Sequence, residues 1–209
     1  MNYKDLLSSD DFAEIASIKH TDLRSFLASE VEKQPLWARI ANILQVSGLL
    51  AFFLGGFKAF MPFFTHRQTE NLWWLFAGLI FTFTILIVLH ELIHALSYRM
   101  VGARQLSFGM NLKKFIFYVQ ANQYVLNYKQ FKVVALAPVI AIGILSLLGM
   151  VSFYNQPIFY FIIPVFAFHT IFCGGDFGLL CFFQNRPDQE IVTFDVKAES
   201  KTYFFGRIK

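Results

Sequence analysis

The chain has 209 residues, of which 56% are hydrophobic and only 15% charged, and its formal charge is +4. A soluble domain carries about a quarter charged residues, so the composition argues against a water-soluble globule and leans towards a membrane protein. A positive net charge hints at nucleic acid in a soluble protein; here its distribution matters more, and no nucleic-acid partner is expected.

Residues 1–40 are polar and mixed in charge. No short apolar core with a small-residue cleavage site follows the initiator, so internal apolar segments are expected to drive insertion. Asp10 to Ile40 has helix-compatible composition broken by Pro35, which predicts one or two short helices lying on the membrane surface. A bilayer span needs about 20 apolar residues, and four stretches meet that length: Ala41 to Phe64, Leu72 to Tyr98, Val133 to Phe153, and Pro157 to Phe183. The expected fold is an α-helical integral membrane protein with about four transmembrane helices. Its parts are a cytoplasmic arm at 1–40, a membrane core at 41–184 and a cytoplasmic tail at 185–209.

Between the second and third spans, at about 100–131, Arg104 to Met110 and Lys114 to Ala121 are rich in Phe, Tyr, Val and Ile with polar residues between them. Gly109 and the Asn111 region sit where a turn would fall, so a β-hairpin or small sheet is expected there. Its aromatic residues Phe115, Phe117 and Tyr118 are candidates for a substrate groove, with packing as the plainer use.

Lys and Arg set the orientation. Five lie in the arm, six between the second and third spans and five in the tail, against Arg67 and the snorkelling candidate Lys58 on the other side. By the positive-inside rule both termini and the insertion are cytoplasmic.

His90-Glu91-Leu92-Ile93-His94 lies near the end of the second span. Histidines four apart on a helix project from one face and can hold one Zn²⁺, with Glu91 close enough to act as general base towards water. Zinc lowers the pKa of a bound water towards about 7. An acid between two histidines is expensive in apolar surroundings, which weighs against an idle polar pair facing a neighbouring helix.

A catalytic zinc site needs a third protein ligand and an open position. The fourth span offers His169 and Asp176. His90 lies 18 residues beyond Leu72 and Asp176 lies 19 beyond Pro157. Spans running in the same direction bring these two residues to nearly equal depth at about 1.5 Å per residue. His169 is seven residues from Asp176, about 10 Å along a straight helix, too far for both to reach one ion. Depth therefore favours Asp176 as ligand. His169 is expected to contact the substrate carbonyl or an outer group of the site. Gly174 and Gly175 would loosen the helix or admit a close backbone. Cys173 and Cys181 form no CxxC pair and read as buried small hydrophobes.

The His90-Glu91-Leu92-Ile93-His94-Ala95-Leu96 segment, Gly102, Ala135-Leu136-Ala137-Pro138 and Gly175-Asp176 together resemble a bacterial membrane family of putative zincin peptidases, over roughly Leu72 to the C-terminus. More distantly the layout is similar to site-2 proteases: a zinc helix, a β-rich insertion and a later span with an Asp ligand. The resemblance implies His90 and His94 as zinc ligands, Asp176 as the third and Glu91 as base. Site-2 proteases commonly carry an Asn upstream of that Asp, where this chain has His169, and Asp176 is followed by Phe177 rather than Gly. The expected activity is zinc-dependent peptide hydrolysis in or beside the bilayer, in a bacterial cytoplasmic membrane. Its substrate would be a membrane protein or peptide that pairs with the insertion as an added strand. A non-catalytic metal-binding sensor or transporter is the alternative.

Overall fold

A long apolar run with few breakers leaves the backbone one economical choice, a helix that satisfies its own hydrogen bonds. The computed structural model describes residues 3–111 and 116–208. Three of its helical segments are long and apolar enough to cross a membrane. These are α3 (Leu36–His66), α6 (Tyr128–Ser152), and the run Ile158–Gln184, made of α7 (Ile158–Phe172) and α8 (Gly174–Gln184).

The expected second span is not one straight helix. It consists of α4 (Glu70–Phe83) and α5 (Ile85–Met100), bent by 45° at Thr84. The Thr84 hydroxyl donates to the Ile80 carbonyl at 2.6 Å and the Thr82 hydroxyl to the Gly78 carbonyl at 2.7 Å. Hydroxyls that bond back to the preceding turn bend helices, and two of them flank this break. Counted as one span, the bent pair would be the fourth.

The polar segments depart further from expectation. The N-terminal arm holds α1 (Tyr3–Leu7) and α2 (Leu23–Glu32), but Phe12–Lys19 between them is a strand, β1, rather than helix. The tail is also structured, as β5 (Ile191–Val196) and β6 (Lys201–Arg207). With the short β4 (Leu126–Asn127) these form an antiparallel sheet in the order β1-β6-β5-β4. The expected hairpin is present as β2 (Leu106–Asn111) and β3 (Ile116–Ala121). Gly109 and Asn111 lie in β2, and residues 112–115 between the strands fall outside the described residues, as does the groove candidate Phe115.

The chain forms two compact units whose boundaries fall inside helices. One comprises Met1–Ala38, Glu91–Ala137 and Gly175–Lys209. Successive residues of β6 serve both faces of its sheet. Phe205 joins Leu6, Phe12, Val192, Phe194 and Val196 on one face, with Tyr203 packed against them. Phe204 turns the other way, 4.2 Å between ring centroids from Phe182 of α8. Glu30 ties α2 to the end of α8: its carboxylate accepts from Arg186 Nη2 at 3.1 Å, from Asn185 Nδ2 at 2.7 Å and from Lys33 Nζ at 2.9 Å. Burial would raise this carboxyl, but those donors outweigh it and hold its pKa at about 2.

The other unit comprises Arg39–His90 and Pro138–Gly174. Here α4 and α7 approach so closely that a Cβ on Gly78 would stand 2.3 Å from the Phe161 carbonyl oxygen. The missing side chain of a glycine is what permits so close an approach of two helix backbones. Lys58 places its ammonium over the Tyr154 ring, 4.5 Å from the centroid.

Candidate metal centre

Helix α5 carries His90 and His94 one turn apart, both 7% exposed. The ring of His94 is fixed from behind. Pro138 lies inside α6 and has no N–H, so the carbonyl of Val134, four residues earlier, lacks its usual helical donor. His94 Nδ1 lies 3.0 Å from that oxygen. Because a carbonyl only accepts, Nδ1 carries a proton, and in the neutral ring the lone pair belongs to Nε2. Nε2 is also the atom that meets Asp176, 3.3 Å from Oδ1.

Asp176 stands in the first turn of α8, just past the junction with α7 at Cys173. Of the two uses expected of Gly174 and Gly175, the close backbone approach is not seen. A Cβ on Gly175 would meet nothing within 4 Å, and one on Gly174 would meet only the Gln45 amide at 3.4 Å. The close approaches in this chain are made at other glycines, Gly78 among them.

Glu91 follows His90 directly, and its Oε2 accepts the backbone N–H of Val119 in β3 at 2.8 Å. His169 projects from α7 towards His90, with His90 Nδ1 and His169 Nε2 3.2 Å apart and the rings edge to face. His90 thus has its Nδ1 engaged, as His94 does, and a ligand histidine held at one nitrogen is oriented to coordinate through the other. Cys173, one turn beyond His169, brings Sγ to 3.7 Å from His169 Nε2.

Nitrogen, nitrogen and carboxylate oxygen form a donor set suited to Zn²⁺. Two donor residues as near as His94 and Asp176, with the histidine anchored through its far nitrogen, would fit such an ion. When bound, zinc supplies Lewis acidity towards a carbonyl or water oxygen.

A family model described as "Putative zincin peptidase" matches residues 83–191, just over half of the chain. The chain belongs to that family. No curated protein matches it, and no solved structure does. The stretch shared with the zincin peptidase family takes in α5, the β2-β3 hairpin, α6, α7 and α8. It therefore contains His90, Glu91, His94, His169 and Asp176. Zinc-dependent hydrolysis is what membership suggests.

Three participants escaped the sequence reading. Val134 with Pro138 was visible as a proline inside an apolar span, the signal of an unpaired carbonyl four residues before it. Cys173 repeats with His169 the four-residue spacing of His90 and His94. Val119 carries no side-chain signal, because its backbone makes the contact.

Proposed function

We propose that the chain is a zinc-dependent peptidase in which His90, His94 and Asp176 hold the ion and Glu91 is the general base. The observation that carries this reading is the His94–Asp176 pair, with Nε2 and Oδ1 3.3 Å apart and His94 anchored through Nδ1 to Val134. His90, one helical turn before His94, supplies the third donor, and these three residues are a group able to hold a metal ion. Glu91 holds and moves the proton: its carboxylate takes one from the attacking water and returns it to the leaving amine. The hydrogen bond from Val119 fixes the carboxylate orientation before substrate arrives.

We further propose that the reaction takes place within or beside a lipid bilayer, on a transmembrane or membrane-adjacent segment. Along α3, Val46, Leu50, Phe53 and Phe57 follow one another at helical spacing and are 57–69% exposed. Lipid suits such a face and water does not. His169 contacts His90 and is assigned a supporting role there.

The test combines bound-metal analysis of purified protein with comparison of membrane proteomes. Zinc at one equivalent, and membrane proteins that accumulate when Glu91→Gln replaces the native chain, support the reading. Retained zinc with an unchanged proteome would leave a non-catalytic metal-binding protein in its place.

A further inference from the structure

His169 of α7 and Cys173, the residue that caps that helix, lie four residues apart, where helical pitch puts both on one side. They are 1% and 0% exposed, so neither is a surface residue whose chemistry is spent on water. Across from them is His90. Its Nδ1 is 3.2 Å from His169 Nε2, and Cys173 Sγ is 3.7 Å from that same nitrogen. The three donor atoms lie within 4.8 Å of one another. Ligands bound tetrahedrally at about 2.0–2.3 Å are roughly 3.3–3.7 Å apart. The His90–His169 and Cys173–His169 separations are close to the edges of such a tetrahedron. Burial excludes the bland alternative of a solvated polar cluster.

We propose that His90, His169 and Cys173 form a second metal position, fitted to a thiophilic cation such as Cd²⁺ or Cu⁺. The sulfur ligand sets that preference, because soft thiolates favour soft cations while a carboxylate at the equivalent place favours harder ones. Binding displaces the thiol proton, and Cys173 coordinates as thiolate.

The position also has a consequence for the zinc site, which rests on the peptidase reading above. A neutral imidazole has one lone pair and one N–H. When Nδ1 of His90 is the N–H, Nε2 coordinates zinc beside His94. When Nδ1 coordinates a cation held by Cys173, Nε2 carries the proton and leaves the zinc set. One metal excludes the other, so a thiophilic ion acts as an inhibitor that never touches Asp176 or Glu91.

The experiment titrates Cd²⁺ into full-length protein in detergent, first stripped of metal with chelator and then loaded with zinc. In stripped protein a thiolate-to-cadmium charge-transfer band should grow to one equivalent. It should be absent in Cys173→Ser and intact in Cys181→Ser. It should also survive in Asp176→Asn, which separates this site from the zinc position whatever becomes of the peptidase reading. His169→Ala should weaken cadmium by more than the roughly 10- to 100-fold that an outer partner costs; this variant decides if Cys173→Ser cannot be purified folded. In zinc-loaded protein, one zinc should leave for each cadmium that gives the band. A wild-type protein without the band, or a band unchanged in Cys173→Ser or His169→Ala, overturns the site. Zinc that stays bound while the band reaches full amplitude overturns the competition.

Discussion

Oε2 of Glu91 accepts the backbone N–H of Val119 at 2.8 Å. That N–H belongs to β3, and alternation along a strand gives Phe117 and Ala121 the same edge. An edge strand that offers N–H groups is a template for an incoming strand. The proposed base is therefore fixed to one strand of the insertion.

Val119→Pro deletes this donor without deleting a side-chain function. A charge-assisted hydrogen bond to backbone is worth about 1.5–3 kcal/mol. Turnover of a confirmed substrate should drop by roughly tenfold or more with zinc content unchanged. Glu91→Gln should lose roughly 10²- to 10⁴-fold and also keep its zinc. Metal analysis alongside single-turnover rates checks both; normal cleavage by Glu91→Gln would remove Glu91 as base.

The third ligand is tested by a pair of substitutions. Asp176→Asn should sharply reduce zinc retention during dialysis against chelator. His169→Ala, which removes a neighbour of His90 and no proposed zinc ligand, should keep zinc at saturating concentration and lower the rate. Zinc lost only from the His169 variant would move the ligand role to His169.

Orientation is tested by labelling. Cysteines introduced at Ser8 and Ser200, both exposed in the fold, should be shielded from an impermeant thiol reagent added to intact cells, while one at Thr69 should react. Reaction at Ser8 or Ser200 without lysis would reverse the proposed topology.

Glu30 predicts an acid limb. Its carboxyl sits at about 2 in the folded chain against an ordinary 4.5. The folded state thus gains stability that is complete above about pH 4.5 and is lost as pH falls through about 2, roughly 3 kcal/mol in all. Arg186→Ala leaves a buried carboxylate without its main donor and should cost about 3–5 kcal/mol at neutral pH. Denaturation of the detergent-solubilised protein across this pH range measures both; an acid limb of wild-type size in Arg186→Ala would contradict the assignment.

The apolar runs and the His90–His94 spacing were legible because each obeys a local rule of length or helical pitch. The break at Thr84 was not, since the span carries no charge before Glu91 and the bend comes from threonine hydroxyls bonding backwards. Strand β1 hid for a different reason. Its pairing with β6 slips register between Glu14 and Ala16, which spoils the alternation that marks a strand, and its partner lies far away in sequence. Asp176 could be matched to His90 by counting along two spans, whereas the Val134 carbonyl behind His94 becomes visible only when Pro138 is read for the hydrogen bond it fails to donate.

The pairing of β1 with β6 also orders the making of the protein. Strand β1 ends at Lys19 and β6 begins at Lys201. At roughly 5–20 residues per second, the ribosome needs about 10 to 40 s to travel from one to the other. Throughout that interval β1 has no β6 to bind, while the apolar helices between them have already emerged. The sheet is thus a late latch, and truncation before Lys201 would leave β1 without its partner strand.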